Sequence, residues 1–256
     1  RQMLGACKKV GNDEKLYIMK DLILITGAAR SGTSIVAGVI NICGAFGGDL
    51  ASPNRNNQKG MFENTEIREQ IVKPYLRGLG VDHMGQYPLP DISNIHIPVD
   101  WRFKIEKVMK KQGYEEGQSC FYKGAKICLS WPVWKANFPN SKYVIVRRKT
   151  PDIIRSCMKT GFMRAFVRPH IQAKVGADNE YDGWKWWVHQ HEKRFVEMMQ
   201  SGLEVREIWP ERMVHGDFTK IKELIKWLGL DWENNEQKVI DFVDEKLWKA
   251  KKKGNQ

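Results

Sequence analysis

"DLILITGAARSGTS", residues 21–34, decides how this chain is read. The run "DLILIT" (21–26) is apolar without interruption and stops at Gly27, the pattern of a strand buried on both faces in a parallel sheet. "TSIVAGVINI" follows and predicts a helix starting near Gly32. Strand, glycine-bounded loop and helix, in that order, open a doubly wound α/β domain. Gly27 and Gly32 stand at the G-x-x-x-x-G spacing of a Walker A loop. In such a loop successive backbone N–H groups form a nest for an anion, and the helix N-terminus adds positive potential. A nucleotide triphosphatase continues with lysine and then a hydroxyl residue. Here Thr33 and Ser34 follow Gly32 directly, and the cation of the loop is Arg30.

Outward from this loop the pattern repeats. "KYVIVRR" (142–148) is a second buried strand, "LEVREIW" (203–209) a third by alternation, and "SCFYKGAKI" (119–127) holds a short one. Helical spacing at Ile67, Ile71, Val72 and Leu76 predicts a helix kinked at Pro74. Residues 100–113 form a capped amphipathic helix that ends at Gly113, and "SWPVWKANFPN" adds a turn or two. "TPDIIRSCMKTG" has Pro151 at an early helical position and Gly161 to close it. A long helix covers 181–201, and "DFTKIKELIKWLGLDW" is a helix capped by Asp217 or Thr219. Residues 81–99, with their prolines, predict a long surface loop of the kind that serves as a lid or binding loop. The fold class expected is α/β: a single domain with a central, mainly parallel sheet flanked by helices, P-loop NTPase-like. Its span is 19–248, with an N-terminal extension at 1–18 and a basic, disordered tail at 249–256.

The chain has 256 residues, 42% of them hydrophobic, enough for one substantial core. It contains no apolar run of the roughly 18 residues that a membrane span requires, and its first twenty residues lack the apolar stretch of a secretory signal. A soluble, cytoplasmic protein is expected. Its five cysteines, Cys7, Cys43, Cys120, Cys128 and Cys157, form no C-x-x-C pair, so they read as reduced, packed thiols rather than zinc ligands or a disulfide framework. The formal charge of +12 favours an anionic partner, although "KAKKK" (249–253) supplies part of it.

Two absences narrow the chemistry. The lysine that reaches the outer phosphates of ATP is missing. A magnesium-dependent phosphotransferase also needs a carboxylate near the end of a neighbouring strand, whereas "KYVIVRR" ends in Arg147 and Arg148. Cations there repel a divalent metal and attract a second anionic group. The site is therefore expected to hold phosphate with protein donors alone and no metal.

"RSGTS" (30–34) and "RKTPDIIRS" (148–156) together resemble the sulfotransferase family that uses 3′-phosphoadenosine 5′-phosphosulfate (PAPS). The pattern is closest to bacterial-type members. The resemblance implies that Ala29, Arg30, Ser31, Gly32, Thr33 and Ser34 cradle the 5′-phosphosulfate. It implies that Arg148, with Ser156 eight residues on, holds the 3′-phosphate; Pro151 stands one place later than in the commonest family form. Whether Arg147 shares that role stays open. Weaker likenesses lie in "KGMFEN", in "FYKGAK" and in the late helix ending "WLGL". The glycine-rich C-terminal loop of animal cytosolic members is not recognisable.

The resemblance implies a sulfuryl transfer in which Arg30 and Lys123 neutralise charge on the leaving oxygen. The histidine that many members place two residues after this lysine is Ala125 here, so Glu63 is the expected base, with Glu66, His83 and His215 as substitutes. Glu63 reads equally as a carboxylate at a helix N-terminus. His189 and His191, two apart on a helix, face different ways and make no metal pair. Trp184, Trp186 and Trp187 read as core anchors in preference to an adenine platform. The expected acceptor is a small molecule, glycan or lipid, with no nucleic acid. A P-loop kinase using ATP and magnesium, or a basic nucleic-acid-binding protein, are the alternatives.

Overall fold

The computed structural model describes residue 19, residues 22–53 and residues 58–248. The expectations for 1–18 and for the tail 249–256 lie outside the described residues. Four strands, β1 (Leu22–Thr26), β2 (Cys120–Lys123), β3 (Lys142–Val146) and β4 (Glu204–Ile208), form one parallel sheet in the order β2-β1-β3-β4. β1 is hydrogen-bonded on both edges, with Leu24 opposite Tyr122 on one side and Tyr143 on the other. All five of its residues are buried, which is why its sequence is apolar throughout. β4 is one of the two edge strands and mostly exposed, whereas β2 at the other edge is buried throughout.

The helices are α1 (Thr33–Ile42), α2 (Lys73–Gly78), α3 (Trp101–Lys111), α4 (Trp131–Asn137), α5 (Thr150–Met158), α6 (Pro169–Lys174), α7 (Glu180–Gln200), α8 (Pro210–Val214), α9 (Thr219–Leu228) and α10 (Glu236–Phe242). The period of two along each strand divides the core into two layers. Leu22, Leu24, Tyr122, Tyr143 and Ile145 pack with α3 and α4 around Trp134. Ile23, Ile25, Val144 and Val146 pack with α1 and α9 on the opposite face. A third cluster joins Ile153, Ile154 and Cys157 of α5 to Phe166 and to Trp184, Trp187 and Val188 of α7. Trp184 and Trp187 are thus core anchors, as expected, with Trp186 packed at the cluster's margin. Cys43, Cys128 and Cys157 are free, buried thiols. Among the described residues no helix is long and apolar enough to cross a membrane.

Four local expectations are corrected or refined. The helix expected to kink at Pro74 has a π-helical stretch, Ile67–Val72, immediately before α2, and Pro74 falls in the first turn of α2. Residues 65–72 before it are already helical, so its missing N–H interrupts one continuous helical run at the point where the π-helical stretch gives way to α2. Asp100 does not cap α3 with its side chain; the carboxylate binds Lys104 at 2.7 Å instead. α5 ends at Lys159, where the Thr160 N–H bonds Cys157 O at 2.9 Å, so Gly161 is not needed to close it. Before α9 the N-cap position is Phe218, which has no side-chain cap; Asp217 Oδ1 accepts the Thr219 N–H at 3.1 Å in an Asx turn, so neither Asp217 nor Thr219 is the cap.

Candidate functional site

The carboxyl ends of the strands open onto a cavity of about 710 Å³, the position that open α/β sheets reserve for ligands. The loop after β1 forms one wall. Gly27 makes its first turn possible, because a Cβ there would lie 2.6 Å from both Val146 O and Ser31 Oγ. Gly32 has φ +97° and Arg30 has φ 75°, a left-handed conformation that costs a non-glycine residue about 1 kcal/mol or more and concentrates at functional sites. Ser31 N–H bonds Ala28 O at 3.0 Å. The N–H groups of Ala29, Arg30, Gly32, Thr33 and Ser34 make no backbone hydrogen bond among the described residues, and all five of these residues line the cavity. Uncommitted amides at a helix N-terminus are an anion nest. The Ser31 side chain is fully buried beside Gly27, and its hydroxyl has no hydrogen-bond partner among the described residues. The residue shapes the loop from beneath.

The segment after β3 meets this loop. Arg148 Nη1 donates to Arg30 O at 2.9 Å, and Arg30 Nε donates to Ser156 Oγ at 2.9 Å. Two stretches more than a hundred residues apart are thereby locked together, and Arg30, Arg148 and Ser156 line one cavity. Arg148 Nε and Nη2 are buried without a hydrogen-bond partner among the described residues. Burial lowers the pKa of Arg148, Asp152 counteracts it, and Arg30 lowers it further; burial likewise lowers that of Arg30. A cation so placed is short of an anion. Arg147 points elsewhere, ion-paired with Glu192 and Glu207, and does not line the cavity. Of the two adjoining arginines, Arg148 and not Arg147 faces the cavity.

The opposite set of cations is already paired. Lys123, at the end of β2, is 4% exposed and donates to Glu63 Oε1 at 2.9 Å and Met61 O at 3.1 Å, with Ser34 Oγ at 3.4 Å. Arg68 Nη1 reaches Glu63 Oε2 at 3.1 Å and its Nε reaches Glu69 at 2.8 Å. Burial tends to raise the pKa of Glu63, but Lys123, Lys126 and Arg68 outweigh it and bring it down to about 2. Glu63 owes its position to Asn64, which the sequence reading passed over. Asn64 is buried, donates to Gly47 O at 3.0 Å and Gln112 at 2.6 Å, and accepts the Ile67 N–H at 3.1 Å. The adjoining Phe62 has φ 52° and its ring meets Phe242 edge-on at 5.7 Å. None of the substitutes for Glu63 lines the cavity: Glu66 binds Lys111 and Gln112, His83 lies 3.9 Å from Asp82, and His215 lies 3.5 Å from Glu245.

Residues from the end of the chain complete the wall. Trp248 covers Arg148, its ring 4.4 Å from the guanidinium, and packs where a Cβ on Gly32 would stand. Phe242, Asp244 and Leu247 line the same cavity. No local signal marked them, because their contacts are with residues far away in the chain. The loop 81–99 contributes Met84 and Gly85, and Gly85 O accepts the Trp187 Nε1–H at 2.9 Å. His191, wholly buried, also lines the cavity; burial brings its pKa down to about 4, so it is neutral.

No protein-family model matches the chain, and no curated protein does. Solved structures similar to it include a sulfotransferase from Mycobacterium tuberculosis, at 12% identity and a TM-score of 0.49, covering 88% of this chain and 72% of that one. The sulfotransferase domain of the Synechococcus PCC 7002 olefin synthase matches at 14% identity and 0.48, covering 91% and 84%. A sulfotransferase from Alicyclobacillus acidocaldarius matches at 12% and 0.49, covering 84% and 83%.

Proposed function

We propose that this chain is a sulfotransferase that moves a sulfuryl group from PAPS to a hydroxyl or amine acceptor, in line and without a metal ion. The observation that carries this reading is the unpartnered, buried pair of donors on Arg148, joined through Arg30 to a loop of uncommitted amides. Such an arrangement fits a ligand with two separate anionic groups, one at the loop and one at Arg148 and Ser156. When bound, PAPS supplies a sulfuryl group activated by its bridge to phosphate.

The chain's own residues then divide the work. The amides of Ala29, Arg30, Gly32, Thr33 and Ser34 and the N-terminus of α1 hold the phosphosulfate end. Arg148 and Ser156 hold the 3′-phosphate. Arg30 stays charged at every working pH and acts electrostatically on the leaving oxygen. Lys123 has a second destination: it already touches Ser34, so a short movement takes it from Glu63 toward an anion in the loop. That movement removes a principal cause of the low Glu63 pKa and frees Oε1 to take the acceptor's proton. Residues 81–99 and 162–183 shape the acceptor side for a small molecule, glycan or lipid, and the protein works in the cytoplasm.

Calorimetry with adenosine 3′,5′-bisphosphate, with and without magnesium, tests the reading. Metal-independent binding that is lost in Arg148→Ala is expected. Binding of ATP with magnesium in place of the bisphosphate points to a kinase, and no nucleotide binding at all overturns both.

A further inference from the structure

The acceptor side of the cavity holds a partly buried cation, Lys126, whose ammonium forms no hydrogen bond or ion pair among the described residues. Lys126 lines the cavity in the turn just after β2. Its backbone is held in place: Lys126 O accepts the Ser130 hydroxyl at 3.2 Å, and Ile127 N–H bonds Gly124 O at 3.1 Å. Its side-chain stem lies under the 81–99 loop, where a Cβ on Gly85 would be 3.4 Å from Lys126 Cγ. The loop is itself held down by the Trp187 bond to Gly85 O. The ammonium group has no hydrogen bond or ion pair with any described residue.

Its neighbours are otherwise engaged. Nine lysine and arginine side chains line the cavity against the carboxylates of Glu63, Asp152 and Asp244. Arg30 and Arg148 belong to the cofactor side, and Arg155 pairs with Asp152. Lys123 and Arg68 share Glu63, Lys73 is held by Glu69 at 2.7 Å, and Lys59 binds carbonyl oxygens of residues 241 and 242. Lys159 is exposed to water. Among the described residues, Lys126 is the partly buried cation of this cavity whose ammonium has no hydrogen bond or ion pair. Burial lowers its pKa; Glu63 offsets this in part, while Lys73, Arg68 and Lys123 lower it further. A partly desolvated ammonium among like charges favours an anion beside it.

We infer that the acceptor is itself an anion, a hydroxylated molecule whose carboxylate, sulfate or phosphate group is received by Lys126. This rests on the sulfotransferase reading and names its substrate class. Lys126 and the proposed base Glu63 act on each other electrostatically, so the charged group and the reacting hydroxyl belong to the same small region of one molecule. Met84, Leu129, Phe162 and Met163 line the rest of that side and suit an apolar or sugar-ring body. Lys126 is thus a specificity-determining residue.

The test uses the full chain with the donor side filled by adenosine 3′,5′-bisphosphate. Lys126 is acylated with acetic anhydride, and its rate is followed by mass spectrometry against exposed lysines. Inorganic sulfate, inorganic phosphate and acetate serve as separate probes. The inference expects at least one anion to slow acylation of Lys126 at least tenfold while exposed lysines change less than twofold. Protection by acetate identifies a carboxylate acceptor; protection by sulfate or phosphate alone identifies an ester. No protection by any of the three overturns the inference. As a second readout, Lys126→Gln keeps bisphosphate affinity within twofold and abolishes the anion's calorimetric signal; an unchanged signal also overturns it. If bisphosphate does not bind but sulfate still protects Lys126, the sulfotransferase reading fails while the anion site stands.

Discussion

The two walls of the cavity carry similar charges but treat them in opposite ways. Around the loop and β3, Arg148 donates to the backbone of Arg30, Arg30 donates to Ser156, and Arg148 keeps two donors without a partner among the described residues. Around β2 and the π-helical stretch, Lys123, Arg68 and Lys73 are bound to Glu63 and Glu69. The first wall is prepared for an anion that the protein does not contain. The second contains its own anions and holds them in place. Charge count alone does not distinguish a binding wall from a positioning wall; the partners do.

The largest effect is expected from breaking the paired wall. Glu63→Gln leaves Lys123 and Arg68 facing a neutral amide, and sulfuryl transfer should fall by about 10²-fold or more. Bisphosphate affinity should stay within twofold. A variant that turns over normally moves the base elsewhere. The same variant sharpens the electrostatics. Glu63 has its pKa depressed in the fold, so its stabilising contribution is full above the usual carboxylate range and is lost as pH falls toward about 2. Urea midpoints between pH 5 and pH 2 should therefore fall more steeply for the unaltered chain than for Glu63→Gln.

Breaking the open wall is next. Arg148→Ala removes charge-assisted donors and should weaken bisphosphate binding roughly tenfold to a hundredfold, measured by calorimetry. Arg147→Ala is the control from the adjoining position and should change that affinity less than twofold, since its guanidinium is spent on Glu192 and Glu207. Equal losses in the two variants would erase the distinction between them.

Gly27→Ala tests the frame beneath the open wall. Its Cβ meets backbone at Val146 O, which cannot swing aside, and a destabilisation of about 1–3 kcal/mol is expected from thermal unfolding. The smallest effect lies at the junction with α7. His191 is buried and neutral, so the unfolded chain binds more protons between about pH 4 and its ordinary range. Stability should decline as pH falls through that window, and His191→Gln should flatten the slope.

Much of the architecture was legible in local pattern. β1 and β3 show as apolar runs because both of their edges and both faces are covered, and β4 carries polar residues because it is an edge strand left largely exposed, unlike the buried edge strand β2. The loop was legible because G-x-x-x-x-G between strand and helix is a local constraint on backbone shape. The short helices α6, α8 and α10 were missed, since five to seven residues carry too little periodicity to read. Asn64 was missed for another reason: its partners Gly47 and Gln112 are remote in the chain, and a buried asparagine resembles a loop residue until they meet.

The sequence by itself determined the sheet, the glycine turn at 27–32 and the set of residues from which a site can be built. These depend on near neighbours, whose backbone and hydrophobic preferences are written into short stretches. Only the tertiary structure decided which members face the cavity and how they are charged. It turned Arg148 inward and Arg147 outward, drew Ser31 beneath the loop and laid Trp248 over Arg148. It also bound Glu63 between two cations while leaving the Lys126 ammonium without a hydrogen bond or ion pair among the described residues. A side chain's protonation and availability are set by the charges and the water around it, and the fold gathers those from every part of the chain.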